Sequence, residues 1–366
     1  MLTQSGLAIL AHYNRSATER SILLGNIAYG SKLPTFDMPN AGIPTRVQIS
    51  FSGKVEVTNT ATTGTVTASP FWPFNLLGLS TFRDPVGNVR IFADGNDLYW
   101  RDLSIMVGAD LKSPLHTENY QSQVFSATLP KGVASATVTS AVNFSVNLPI
   151  SLAGGTVQGS YAAAIADTQA QFIGVENPVV GDNILSPLQV TGKTTATVSG
   201  TWNGVYYYMD APASVPVPLE ALSLYHELYH QQADKSNLAS NGKPKQNLLT
   251  AREYYRIIVG MVANNKNVLT QTNVPISQLD FIVNGGTPTK TERFRDMAYA
   301  HLRKYLSNFP FLYWDFANNP WDASGFGSLA VEETLSSSFS SGTVSQIWTL
   351  RDCLYAPTNN LVKIGG

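Results

Sequence analysis

From Val47 the chain alternates: Val47, Ile49, Phe51, Val55 and Val57 are apolar, while Gln48, Ser50, Lys54 and Glu56 stand between them. A period of two sends successive side chains to opposite faces, so this run predicts a strand with one face in a core and the other in water. The pattern returns at Val142, Phe144, Val146 and Leu148 against Asn143, Ser145 and Asn147, and again at Ala196, Val198, Trp202, Tyr206 and Tyr208. Between these runs fall "NTATTG", "DPVGN", "ADGND" and "LAGG", clusters in which Gly, Pro, Asn and Asp favour turns. Many strands punctuated in this way define a sandwich or barrel.

"MDAPASVPVP", residues 209–218, carries three prolines and no charge after Asp210, and reads as an extended connector. The texture changes beyond it. "AREYYRIIVGMVANN" places Tyr254, Ile257, Ile258, Met261 and Val262 at helical spacing, and "TERFRDMAYAHLRKYLSNF" does the same with Phe294, Met297, Ala298, Leu302 and Tyr305. Thr291 is the expected N-cap of the latter helix, Glu292 lies in its first turn, and Pro310 stops it. "GFGSLAVEETLS" and "GTVSQIWTLRDCLY" return to strand patterning. The second half therefore reads as a β domain with two helical insertions, and the two β modules are similar enough in size for a diverged duplication.

Composition narrows the function classes. Of 366 residues, 43% are hydrophobic, enough for a sizeable core, and only 13% are charged, about half the roughly 25% of ordinary globular chains. A net charge of −1 argues against a broad nucleic-acid footprint, which needs clustered Lys and Arg. So weakly charged a surface has little self-repulsion and suits a chain packed against other copies. Cys353 is the single cysteine, which excludes an intrachain disulfide and a thiolate zinc cluster, and its apolar setting predicts a buried, inert thiol. No stretch approaches the roughly 18 to 20 apolar residues of a membrane span. "MLTQSGLAIL" lacks the basic region of a secretory signal, so export by that route is not expected.

One motif carries explicit chemistry. In "SLYHELYHQQADK", His226, Glu227 and His230 follow H-E-x-x-H, which on a helix sets two imidazoles one turn apart to hold zinc, with the glutamate as general base. Gln231 and Gln232 break the usual continuation, and Asp234 stands where the longer form needs glycine; Glu253 fits a third ligand by spacing. The segment also reads as a strand, on which residues four apart are about 13 Å from each other at roughly 3.3 Å per residue, too far to share a metal. A zinc hydrolase built on His226, Glu227 and His230 is thus the alternative function. His12, His116 and His301 are scattered, and the adjacent Glu332 and Glu333 point to opposite faces of a strand. "FWPF", Phe71 to Phe74, suits core or interface packing, with a sugar-stacking platform as the other reading.

Two segments resemble the double jelly-roll major capsid proteins of tectivirus-type, tailless, internal-membrane bacteriophages. "PFWPFNLLGLSTFRDPVGNVRIFADGNDLYWRD", residues 70–102, is similar to a stretch of the first jelly roll with an apolar strand, a D-P-x-x-N turn and an aromatic strand. "FRDMAYAHLRKYLSNFP" through "GTVSQIWTLRDCLY" resembles the insertion helix and closing strands of the second, and "VYYYMDAP" followed by "LEALSLY" the hand-over between them. The resemblance spans most of residues 30–366 and puts "LSLYHELYH" on the first strand of the second barrel. It implies an all-β fold with helical insertions: an N-terminal arm (1–30), a first jelly roll (31–211) and a second (212–366), each an eight-stranded sandwich. It further implies no enzymatic activity, no cofactor and no metal, but a homotrimeric, pseudo-hexagonal capsomer of an icosahedral virion, assembled in the host cytoplasm. The implied partners are neighbouring capsomers, vertex and minor capsid proteins, and the internal viral membrane, without sequence-specific nucleic-acid binding. The arm's Leu7, Ile9 and Leu10, followed by Arg15 and Arg20, are the residues expected to meet membrane or a neighbour.

Overall fold

The structure, a computed structural model, describes residues 4–39, 41–69, 71–84, 87–110, 125–127, 129, 136–150, 170–181, 186–216, 225–232, 238–263, 266–267, 276–286, 288–293, 312–316, 321–323, 325–337 and 345–355. The first half opens with a helix, α1 (Gln4–Ser16), then β1 (Thr18–Ala28), β2 (Thr35–Asp37), β3 (Ile43–Asn59) and β4 (Val66–Ala68). β5 (Ser80–Arg83), β6 (Val89–Ala93) and a second helix, α2 (Gly95–Asp110), come next. β7 (Phe125–Ala127), β8 (Ala136–Pro149), β9 (Gln171–Ile173), β10 (Leu188–Val190) and β11 (Thr194–Asp210) complete this half. The second half holds β12 (Tyr225–Gln232), β13 (Lys245–Leu248), β14 (Glu253–Ala263), β15 (Lys266–Asn267) and β16 (Ile276–Val283). It closes with β17 (Pro288–Arg293), β18 (Leu312–Asp315), β19 (Trp321–Asp322), β20 (Leu329–Leu335) and β21 (Ser345–Tyr355).

The three alternating runs become the middle of one antiparallel sheet, ordered β1-β11-β3-β8-β7. Register sets Trp202, Phe51 and Phe144 in one row across β11, β3 and β8. Their rings pack at 4.9 Å (Phe51–Trp202) and 5.8 Å (Phe51–Phe144) between centroids, contacts worth about 0.5–1.5 kcal/mol each beyond the area buried. Gly53 and Gly200 face each other beside this row, and a Cβ on either would meet the Phe51 ring within 3 Å. The paired glycines make the room that the ring occupies.

A second sheet, ordered β15-β14-β21-β12-β6-β5-β9-β2, runs through both halves, with β18 and β19 also paired to β14. The crossing point is a short parallel ladder between β12 and β6, Leu228 opposite Ile91 and Tyr229 opposite Phe92. Alternation then decides what lies on each face. In the first half Phe36, Phe82, Ile91, Ala93 and Phe172 are buried, and the Phe36 ring approaches Gly204 of β11, so this side faces the five-stranded sheet. In the second half Ile257, Trp314 and Ile347 occupy the other side, and the Trp314 ring meets Phe281 of the four-stranded sheet β13-β20-β16-β17. The two cores therefore lie on opposite faces of one shared sheet. Helix α2 covers the face of β21 and β14 that the second core leaves bare, with Trp100 stacked on Trp348 at 5.4 Å.

Two expectations change. The helix expected over "AREYYRIIVGMVANN" is strand β14: Tyr254, Ile257, Ile258, Val259 and Met261 are all fully buried. A strand covered on both faces carries a continuous apolar run, which helical spacing cannot be told from. Thr291 and Glu292 lie within strand β17 rather than capping a helix, and residues 294–311, with His301, lie outside the described residues. Within residues 1–30, β1 pairs along its length with β11. Among the described residues, no helix is long and apolar enough to cross a membrane.

Candidate functional site

The H-E-x-x-H residues lie on β12, the strand that joins the halves, between β6 and β21. On a strand His226 and His230 are about 13 Å apart, so they cannot share a metal ion. Glu253 is engaged elsewhere, its Oε1 accepting the Tyr255 hydroxyl at 2.9 Å. The zincin geometry is not assembled.

What His230 does instead depends on α2. "ADGND", a turn signal, is also a reciprocal helix cap: the Asp97 backbone N–H donates to Asp94 Oδ1 at 2.8 Å, and the Asp94 N–H donates to Asp97 Oδ2 at 3.1 Å. The same Asp97 Oδ2 lies 2.7 Å from His230 Nδ1, and the imidazole stacks over Trp348. Burial alone would lower the His230 pKa, but the charge of Asp97, the hydrogen bond to it and the charge of Asp94 together raise it to about 9. His230 is thus an imidazolium at neutral pH. Asp94 moves upward through burial and the nearby Asp97 charge. Oxygen and nitrogen atoms of Asp94, Asp97 and His230 lie within 4.8 Å of one another, a cluster tied by the two cap bonds and the Asp97–His230 contact.

One helical turn further, Arg101 Nε donates to Asp352 Oδ2 on β21 at 3.0 Å, and Arg256 Nη1 of β14 reaches the same oxygen at 3.5 Å. Asp102 turns to the first half and accepts from Asn147 Nδ2 of β8 at 2.9 Å. Burial pushes its carboxyl up to about 6 against the pull of Arg101 and Asn147. On the opposite face of the shared sheet, Glu227 accepts from Arg90 Nη1 at 3.2 Å and from Arg252 Nε at 2.6 Å, while Arg90 Nε also donates to Asp84 at 2.9 Å. Glu227 is therefore an acceptor between one arginine of each half, not a free base. Such buried pairs add little over an apolar substitute, but losing one partner strands a buried charge at a cost of about 3–5 kcal/mol. Burial and the Glu227 charge push the Cys353 thiol upward, which keeps it unreactive, as its sequence setting suggested.

The remaining candidates fall elsewhere. Leu7, Ile9, Leu10 and Arg15 lie on α1, where Ile9 is half-buried and Arg15 is exposed in the last turn; Arg20 is on β1, paired with Asp210 at 2.9 Å on the surface. Tyr13 fixes this helix, being buried and donating its hydroxyl to the Met209 carbonyl at 3.2 Å. Phe71 and Phe74 are core residues, Phe71 packing edge-on to Trp100 and Trp348. His12 is exposed on α1, and His116 lies outside the described residues. Sequence reading missed α2 and the seam of charges around it. Two signals were present: D-x-x-D ahead of "LYW", and the Arg-Asp pairs in "YWRDL" and "TLRDCL", set in apolar runs of a charge-poor chain.

No family model matches the sequence, and no curated protein matches it. Solved structures do match. The crystal structure of the STIV MCP is similar with a TM-score of 0.64 at 12% identity, over 95% of this chain and 100% of that one. The atomic structure of Sulfolobus Turreted Icosahedral Virus gives 0.62 at 10% identity, over 93% and 92%. The quasi-atomic model of the PBCV-1 virus capsid gives 0.55 at 10% identity, over 93% and 95%. At such identities the likeness is one of fold, and that fold is the double jelly roll.

Proposed function

We propose that the chain is a major capsid protein, the repeating subunit of an icosahedral viral shell around an internal membrane. The observation that carries this reading is the likeness in fold to the STIV MCP over 95% of this chain and 100% of that one. Two similar β halves per chain (31–211 and 212–366, after an arm of residues 1–30) give six lobes when three chains associate, an outline that tiles a curved sheet. A charge-poor surface favours that association. Neighbouring capsomers, vertex proteins and minor capsid proteins would contact the trimer, and assembly would take place in the host cytoplasm.

The arm is the element assigned to membrane or a neighbouring capsomer, through Leu7, Ile9 and Leu10 with Arg15 and Arg20 towards anionic headgroups. A helix this short is marginal alone in water, and one arm adds only a few kcal/mol at about 25 cal/mol per Å² buried. Many arms on one shell would bind strongly through multivalency. A zinc hydrolase has no support from the geometry, since the motif is on a strand with its glutamate held between two arginines. Light scattering of purified chain at micromolar concentration should return three chains, and electron microscopy should show shells. Removing residues 2–14 should leave trimers but impair particles or their attachment to anionic vesicles. A monomer that persists at high concentration would overturn the capsid reading; normal membrane-lined particles from the truncated chain would overturn the role of the arm.

A further inference from the structure

Glu333 is fully buried in the four-stranded sheet, on β20 of the second half. Alternation turns Val331, Glu333 and Leu335 into the core and leaves Glu332 and Thr334 half-buried on the other face. Its row neighbour on β16 is Leu279. On the β13 side its backbone N–H donates to the Pro244 carbonyl at 3.0 Å, and the next inward residue of that strand is Gln246, opposite Val331 and 1% exposed. Among the described residues, neither oxygen of Glu333 and neither polar atom of the Gln246 amide has a hydrogen-bond partner.

Among the described residues, no Lys, Arg or His forms an ion pair with Glu333. Glu332, next along β20, lies 3.8 Å from Lys243 Nζ, and Lys245 of β13 is exposed. Asp280 of β16 takes the register position opposite Glu332 and is held by Gln278. On β17, Glu292 stands opposite Leu279 and Lys290 opposite Phe281, with β16 between that strand and β20. From the facing strands β14 and β21 come Tyr254, Cys353 and Arg351, the last with its guanidinium over the Tyr229 ring at 4.6 Å. A carboxylate in this setting would be a bare charge in an apolar core, whereas the protonated acid is neutral.

We propose that Glu333, with the buried Gln246 on the adjacent strand β13, is a proton-held latch: the sheet β13-β20-β16-β17 stays closed while Glu333 is protonated and opens ahead of the first half once it ionises. Burial, offset in part by its own backbone N–H and reinforced by the Glu332 charge, raises the pKa of Glu333 to about 8. Because the folded value lies above the ordinary 4.5, the contribution is complete below about pH 4.5 and is lost as pH rises through about 8. Between about pH 6 and pH 9 these two values give an opening equilibrium that grows about a hundredfold.

Hydrogen exchange followed by mass spectrometry on the full chain tests this, with rates corrected for base catalysis. Peptides covering 245–248, 276–283 and 329–335 should open about a hundredfold more from pH 6 to pH 9, while those covering β3, β8 and β11 stay protected. Glu333→Gln should abolish that rise and leave His230 in place. A variant that tracks the parent, or a first half that opens in step with the second, would overturn the proposal. Should the variant fail to fold, infrared spectroscopy of the parent chain labelled with ¹³C at glutamate carboxyls decides. A protonated-acid band present near pH 6.5 and gone by pH 9.5 supports the latch, and no such band near pH 6.5 overturns it.

Discussion

Asp97→Asn removes one charge from the seam and little else. Asparagine keeps an oxygen that accepts the Asp94 N–H, so the α2 cap survives, while His230 loses the carboxylate 2.7 Å from its Nδ1. The shift of His230 from 6.5 to about 9 corresponds to about 3 kcal/mol at about 1.4 kcal/mol per pKa unit. Some is returned, since Asp97 also repels Asp94, so a loss of about 2–3 kcal/mol is expected. With about 2.1 cal/mol/K of unfolding entropy per residue over 366 residues, that lowers the apparent Tm by roughly 3–4 °C. His230 is raised in the folded state, so its stabilisation is complete below about pH 6.5 and lost as pH passes about 9. Scanning calorimetry of parent and variant should therefore show the full deficit at pH 6 and under about 1 °C at pH 9.5. Glu333 titrates in both proteins and cancels in the difference. A deficit of equal size at both pH values, or none at pH 6, refutes the ion-pair account.

Glu227→Gln should lower stability by about 2 kcal/mol, because Arg90 and Arg252 lose a shared carboxylate, though Gln can still accept one bond. Thermal unfolding checks this; a chain of unchanged Tm that had instead lost a zinc-dependent peptidase activity would restore the hydrolase reading. Gly260→Ala should cost about 1–3 kcal/mol and weaken the near-UV circular dichroism of tryptophan, since the new Cβ would lie 2.4 Å from the Trp348 ring and 2.5 Å from Trp100. An unchanged spectrum and Tm would mean that the Trp100–Trp348 stack yields easily.

The strands that sequence reading located best are those with one wet face. β3, β8 and β11 alternate because their outer side chains meet solvent, and nothing else in the chain forces so regular a period. β14 defeated the same test because both of its faces are covered, which erases the period that marks a strand. H-E-x-x-H was legible as a pattern, and strand spacing already counted against zinc. Its true partners were not legible, because the β6–β12 ladder, the β12–β21–β14 pairing and the placement of α2 bring Arg90, Arg252 and Asp97 to Glu227 and His230. Glu333 was read for its direction but not its depth: alternation tells which way a side chain points, not how thick the layer above it is.

The β6–β12 ladder has a consequence for how the molecule comes apart. Were the chain severed in the connector at residues 211–216, the cut would break no hydrogen-bonded strand pair, because β11 ends at Asp210 and β12 starts at Tyr225. The fragments would still be stitched by Leu228 and Tyr229 to Ile91 and Phe92, by Arg101 to Asp352 and by His230 to Asp97. Made separately, each would present a raw strand margin, one along β6 and the other along β12, a template for adhesion to any similar chain. Split-fragment complementation suits such a molecule, and expression of either half in isolation invites aggregation.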